Sequence, residues 1–350
     1  MTAPPCRQCR PNRILIVRLS AIGDTIQGLP VLNAVRDRFP LARIAWMVEQ
    51  RAADVLRGHA SLDRLITAPR GWLTSPRTVW QIRRHLRAFG PDVAIDLQGL
   101  TKSAVAAWLS GAKRRIGFGG ERGRELSPWL NNRLVWATSR HVVDAYLELL
   151  RPLGIESPRV RFDVPESEAD RAAADEIVER AGCGDGFAVV NPGAGWPSKR
   201  WPPARFAAVA RHLGAAWGLP SLVICADDER PAAQAVCEAA GGHALLAPSV
   251  PLRTLASVCR RARLFVSSDT GPLHLAAAVG TRCVGLFGPW PADRHGPYGR
   301  QHVAIQKRVC PGSTRRRRNA STEFIEAIDV ASVCEACDRI LDRPIACAAR

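Results

Sequence analysis

The stretch SSDTGPLHLAAAVGTRCVGLFGPW, residues 267–290, decides the fold class. LFVSS before it is a short, β-branched apolar run and reads as a strand, while Asp269, Thr270 and Gly271 form a turn and Pro272 suits the first helical position. The helix LHLAAAV then stops at Gly280, and CVGLFG returns as the next strand. Strand, turn, helix and strand in this order make a parallel α/β unit. The unpaired N–H groups and the positive end of the helix dipole fall at residues 270–273, with the Thr270 hydroxyl and His274 imidazole as further donors. A diphosphate fits such a turn, and so does an ordinary capped helix that binds nothing.

Working outward, the same alternation fills the chain. RILIVRL (13–19) is a strand, SAIGD a turn, and TIQGLPVLNAVRDRF a helix kinked at Pro30. Strands follow at ARIAWMVE (42–49), DVAIDLQG (92–99) and GAKRRIGFG, and helices at 75–89, TKSAVAAWLS and HVVDAYLELLRPLG. Residues 156–166, with Pro158 and Pro165, read as a linker. Beyond it the pattern restarts with GFAVVNPGAG, PPARFAAVARHLGAAW, PSLVICADD, ERPAAQAVCEAA, HALLAP and PLRTLASVCRRA. The expected class is α/β, with two Rossmann-like parallel-sheet domains in tandem, as the 350-residue length also suggests. The division expected is a tail at 1–12, a first domain at 13–160, a second at 161–330, and a C-terminal helix and tail at 331–350.

Composition narrows the partners. Apolar residues make up 47% of the chain, which excludes a disordered protein, and no run approaches the ~18 apolar residues of a membrane span. ILIVRL is interrupted by Arg18, and MTAPPCRQCRPNR carries no apolar segment of a secretory signal, so the expected location is cytoplasmic. The net charge of +17 is unequally placed, +13 in residues 1–165 and +4 in 166–350. That asymmetry points to a polyanionic partner, against the plain alternative of an arginine-rich composition with only four lysines. Nucleic acid is disfavoured because no binding motif or basic-aromatic interleaving occurs. Cys6-x-x-Cys9 and Cys334-x-x-Cys337 have metal-like spacing, but reduced thiols are the default reading and no metal is expected.

Ligands of parallel sheets bind beyond the carboxyl ends of the strands. In the first half those positions hold Gly23 and Asp24, then Gln98 and Lys102; in the second they hold Gly193, Ser198 and Lys199, then Asp227, then Asp269 to His274. SAIGD lacks a full G-x-G-x-x-G pattern, so no dinucleotide fingerprint is present. Asp24 suits a general base toward a substrate hydroxyl and equally suits a cap for the helix behind it. In NPGAGWPSKRWPPARF (191–206) the Gly-Ala-Gly core admits a ligand to the backbone, and Ser198 and Lys199 are phosphate-type donors. Asp227 stands where a ribose would donate its hydroxyls, or where a helix start favours an acid.

Taken together, S-x-I-G-D, WMVEQ (46–50), DLQGLTKSA (96–104), GRELSP (123–128), HVVDAY (141–146), W-P-S-K-R-W-P and S-D-T-G-P-L-H-L-A-A-A resemble family 9 glycosyltransferases, over about residues 13–305. The resemblance implies a GT-B fold whose two domains face an interdomain cleft. It also implies an inverting, metal-independent transfer of heptose from an ADP-heptose donor to a Kdo residue of the lipopolysaccharide inner core. By the same resemblance Asp24 is the catalytic base, and Lys199, facing the donor phosphates, is the second catalytic residue. Lys199, Gly193, Ser198, Asp227, Asp269, Thr270, Gly271 and His274 face the donor, and Gly23, Gln98, Lys102, Arg124 and His141 the acceptor. No cofactor is implied, the ADP-sugar being a substrate; the partners implied are that sugar nucleotide, an anionic Kdo-lipid A glycolipid and the inner membrane surface, met peripherally by a monomer. One departure from the family is that Cys310 precedes the run Arg315 to Arg318 without the paired cysteine common there. The run reads as a solvated loop, with a lipid headgroup contact as the alternative. Other classes left open are a second sugar nucleotide or acceptor on the same fold and a non-catalytic sugar-nucleotide-binding scaffold.

Overall fold

The computed structural model describes residues 11–184 and 186–342 and divides into two compact units after Pro165, inside the segment read as a linker. In the first unit, β1 (Arg13–Val17), β2 (Arg43–Glu49), β3 (Arg64–Ala68), β4 (Val93–Asp96), β5 (Arg114–Phe118) and β6 (Arg133–Val135) form one parallel sheet in the order β3-β2-β1-β4-β5-β6. Ile14 stands beside Ile44 on one side and beside Val93 on the other. Ile14 to Val17 are all fully buried, without in-out alternation, because helices cover both faces of the sheet.

The second unit repeats the plan. β7 (Ala188–Asn191), β8 (Ser221–Val223), β9 (Ala244–Leu246), β10 (Leu264–Ser268), β11 (Cys283–Leu286) and β12 (Val303–Ile305) run parallel in the order β12-β11-β10-β7-β8-β9. Read from the other edge this is again a 3-2-1-4-5-6 order, so each unit has a switch point, between β1 and β4 and between β7 and β10. Trp201 is fully buried, donates to the Ile328 carbonyl at 2.9 Å and meets Phe206 edge-on at 4.9 Å between ring centres. The helix Val330–Leu341 packs on the helix Pro203–Trp217, where Trp217 Nε1 donates to Asp338 at 2.7 Å.

Besides several helices of four or five residues, three strands and one long helix escaped the sequence reading. β3, β6 and β12 are edge strands of three to five residues, paired on one side only and partly exposed, so their apolar signal is weak. The long helix is Glu168–Arg180; Ser167 and Asp170 cap it reciprocally, and Asp170 also holds Arg253 at 2.7 Å. A correction concerns Pro30. The expected kinked helix is two helices, Ile22–Gln27 and Leu29–Arg38, separated at Gly28, and Pro30 lies in the first turn of the second, where its missing N–H costs nothing.

Candidate active site

In the first unit the chain leaves β1 through Arg18, Leu19 and Ser20 and enters the helix Ile22–Gln27 by a cis Ser20–Ala21 peptide. Asp24 sits in the first turn of that helix. Its Oδ2 accepts the Ala21 N–H at 3.0 Å and lies 2.6 Å from Arg18 Nη2. The capping reading of Asp24 is thus met, and the carboxylate still keeps 29% of its side chain exposed. Arg18, absent from the residues singled out in the sequence, is what braces it. The guanidinium is buried, donates to the Leu97 carbonyl at 3.2 Å and lies over the Tyr146 ring at 5.4 Å. Burial works against its charge, but Asp24 and its other neighbours outweigh that and raise its pKa. The available signal was a charged residue at the end of an otherwise apolar strand.

Lys102 opens the helix Thr101–Leu109 next to this turn. Its ammonium lies 2.6 Å from Glu49 Oε1, at the end of β2, and 3.0 Å from Ser20 Oγ. Three carboxyl ends of adjacent strands are thus joined by one cation. Beneath it, Asp96 is fully buried and accepts hydrogen bonds from the Gln98 and Gly99 N–H groups at 2.9 and 3.1 Å and from Asn131 at 3.1 Å. Burial pushes its carboxyl up, and these donors offset only part of that. Asp96 is a scaffold for the loop rather than a surface acid.

Of the remaining first-unit candidates, Gln98 and Gly23 are buried, whereas His141 is half-buried and Arg124 exposed. Gln98 is buried with its Oε1 accepting the Leu19 N–H at 3.0 Å, so its side chain braces the first loop. Gly23 is buried in the helix start. His141 is the N-cap of the helix Val142–Glu148, its Nδ1 accepting the Val143 N–H at 3.2 Å. Arg124 is exposed and its main chain donates to the Gly99 carbonyl at 2.9 Å, which ties the 120s loop to the loop after β4.

In the second unit the decisive turn is as read from the sequence in its backbone and richer in its side chains. Thr270 is the N-cap of the helix Gly271–Ala278 and accepts the Leu273 N–H. Its hydroxyl also meets Ser267 at 3.0 Å and Asn191 at 3.2 Å, so it is engaged within the fold on three sides. Asp269 pairs with Lys199 Nζ at 2.5 Å and faces His274 Nε2 at 3.5 Å. Burial alone would raise the Asp269 carboxyl; the Lys199 charge and the His274 contact overcome it and hold the group far below the usual carboxylate range. The Lys199 ammonium also lies 5.0 Å from the Trp290 ring centre. β7, β10 and the loop between Trp196 and Lys199 thus bring Lys199, Asp269 and His274 together at the switch point.

Ser198 is fully buried and donates to the Arg317 carbonyl at 3.3 Å, a contact that fixes the chain rather than offering a hydroxyl outward. Asp227 is exposed at the start of a single 3-10 turn. Its neighbour Glu229 lies against the glycine loop, within 1.9 Å of where a Cβ on Gly193 would stand. The Arg315 to Arg318 run is solvated, with Arg315, Arg316 and Arg318 exposed, but it is not a loop: it lies in a short helix, Thr314–Arg318, with Arg317 over the Trp290 ring at 5.8 Å and Arg318 over Trp196 at 4.6 Å. Cation–π contact with two tryptophans holds it to its own domain. Cys334 and Cys337 sit one turn apart on the last helix with thiols raised by burial, and Cys6 and Cys9 lie outside the described residues.

Residues 79–324 match the model of glycosyltransferase family 9 (heptosyltransferase). The chain belongs to this family. As a family 9 member it is a glycosyltransferase, and its two Rossmann-like units are of the GT-B type. It is 29% identical to lipopolysaccharide heptosyltransferase 1 of Pseudomonas aeruginosa, over 84% of this chain and 83% of that one. It is likewise 29% identical to lipopolysaccharide heptosyltransferase 1 of Salmonella typhimurium, over 83% and 93%. A family 9 glycosyltransferase from Veillonella parvula has the same fold, with a TM-score of 0.83 at 24% identity over 94% of this chain and 97% of that one. E. coli heptosyltransferase WaaC, solved with ADP-2-deoxy-2-fluoro heptose, superposes with a TM-score of 0.73 at 23% identity over 93% and 99%.

Proposed function

We propose that this glycosyltransferase moves heptose from ADP-heptose to a Kdo residue of the lipopolysaccharide inner core, with inversion and without a metal or other cofactor. It works as a peripheral enzyme on the inner face of the cytoplasmic membrane. The observation that carries the reading is the convergence of Lys199 and His274 on the Asp269 turn that opens the helix Gly271–Ala278. A helix N-terminus with an adjacent ammonium suits a diphosphate, and it stabilises the charge that builds on that group as it leaves. The heptosyltransferase names of the relatives and the ADP-sugar analogue bound to WaaC support the choice of donor.

Asp24 takes the proton of the attacking acceptor hydroxyl as the oxygen bonds to the anomeric carbon and the ADP leaves with the bonding pair. Arg18 holds that carboxylate in place from within the core. Lys102, with Arg124 near the same loop, supplies positive charge toward the Kdo carboxylates. The test is thermal stabilisation by ADP-, UDP- and GDP-sugars, followed by transfer to a Kdo acceptor in EDTA with the product anomer read by NMR. Stabilisation by ADP-heptose and an inverted product in EDTA are expected; stabilisation only by a uridine or guanosine sugar would sink the assignment.

A further inference from the structure

The first unit carries a surface that the chemistry above does not use. The helix Pro76–Phe89 and the helix Thr101–Leu109 pack side by side and leave Trp80 57% and Trp108 53% exposed. Both tryptophans line one groove of about 800 Å³, together with Leu73, Val79, Arg83 and Arg115. Arg87 and Gly111 line this groove and also a second one of about 770 Å³, which adds Lys113, Arg114, Arg133 and one acid, Asp92, whose Oδ2 accepts the Asn12 and Arg13 N–H groups, so the two are continuous. From Arg64 to Pro91, and again from Leu97 to Gly120, the sequence holds no Asp or Glu. Arg87 and Arg115 spend their Nε donors on the main-chain carbonyls of Leu109 and Leu130, which leaves their charge uncancelled on this face. The short helix Ser127–Leu130 packs next in the row and carries Trp129, 85% exposed.

We infer that this Trp80–Trp108 face seats the enzyme on an anionic phospholipid bilayer. Half-exposed indoles set among arginines match the headgroup layer, where the ring sits at the apolar boundary and the cations meet lipid phosphates. No helix among the described residues is long and apolar enough to cross a membrane, so attachment by this face is superficial. Lys102 and Trp108 lie six residues apart on one helix, about 9 Å along its axis. The lipid face and the acceptor-side lysine are therefore two ends of one rigid rod, which suits an acceptor glycan that stands a short way above the lipid. The inference rests on the proposed lipid-linked acceptor for its purpose, but it is tested without it.

The full-length protein is mixed with phosphatidylcholine vesicles, with or without phosphatidylglycerol, and sedimented. The protein is expected to pellet with the anionic vesicles and to be released by added salt. The Trp80→Ser/Trp108→Ser double variant should partition at least about tenfold less. Arg83→Ser, and Arg84→Ser, whose guanidinium lies over the Trp80 ring at 5.7 Å, should each lose roughly fivefold. All variants should keep wild-type transfer to a water-soluble, lipid-free acceptor glycan, which reports an intact fold. A wild-type protein that stays in the supernatant with anionic vesicles, or a double variant that pellets like wild type, overturns the inference. Vesicle binding without any heptose transfer would instead remove the proposed reaction and leave the lipid face standing.

Discussion

The Lys199 ammonium and the Asp269 carboxylate meet at 2.5 Å with only 14% and 10% of their side chains exposed, which makes the donor-side cation part of a nearly buried ion pair. Neither group can be removed without leaving the other charged and poorly solvated. Lys199→Ala is therefore expected to cost about 3 kcal/mol of folding stability in urea titrations at neutral pH, besides weakening donor binding. Lys199→Ala/Asp269→Asn should regain much of the stability and none of the donor binding. Equal stability of the single variant and wild type would show that the pair is not coupled.

The same pair sets a pH dependence. The folded-state carboxyl of Asp269 is held below its unfolded value, so its contribution is complete above that value, about 3.9, and is lost as the pH falls from there toward the folded value. The stability gap between wild type and Asp269→Asn should be constant from pH 7 to about 5 and shrink below about 4. Chemical unfolding at a series of pH values measures it, and a gap that widens on acidification would contradict the assignment.

Arg18 and Asp24 act as a couple. Asp24→Ala should lower kcat about a hundredfold while calorimetry shows ADP-sugar affinity nearly unchanged. Arg18→Met should lower kcat by about tenfold with little change in either KM, since it displaces Asp24 without touching substrate. Arg18→Lys should restore part of the rate. A rise in acceptor KM with kcat intact would place Arg18 in binding instead.

Lys102 is held by Glu49 and Ser20 but keeps about a third of its side chain exposed. Lys102→Ala is expected to raise the KM for the anionic acceptor about tenfold, leave kcat and donor KM close to wild type, and flatten the salt dependence of acceptor KM. Steady-state kinetics at two ionic strengths decides this.

Gly99 has a positive φ of 64°, and a Cβ there would stand 2.4 Å from the Arg122 carbonyl oxygen. Backbone cannot step aside as a flexible side chain can, so Gly99→Ala should cost about 3 kcal/mol and raise acceptor KM by shifting the 120s loop. Gly193→Ala meets only the end of the Glu229 side chain and should be much milder. Thermal unfolding of the two variants compares them directly.

The sequence alone determined the alternation of strands and helices, the turn at Asp269 to Gly271, and the positions just after the strands where a ligand can lie. These are local properties: apolar periodicity, capping and turn chemistry are written in neighbouring residues. The edge strands β3, β6 and β12 were not legible, because a strand paired on one side needs little apolar surface. Only the tertiary structure decided which candidates face outward. Gln98 read as an acceptor-side residue and Ser198 as a phosphate donor, and the structure pairs them with Leu19 and Arg317, which come from far along the chain. Arg18 gained its role the same way, through Asp24, Leu97 and Tyr146. The strand order 3-2-1-4-5-6 was likewise settled by pairing between distant segments, and it is this order that places the Lys199 loop beside the turn at residue 269. Which charges meet in a fold is a property of long-range packing, and no local pattern in the sequence encodes it.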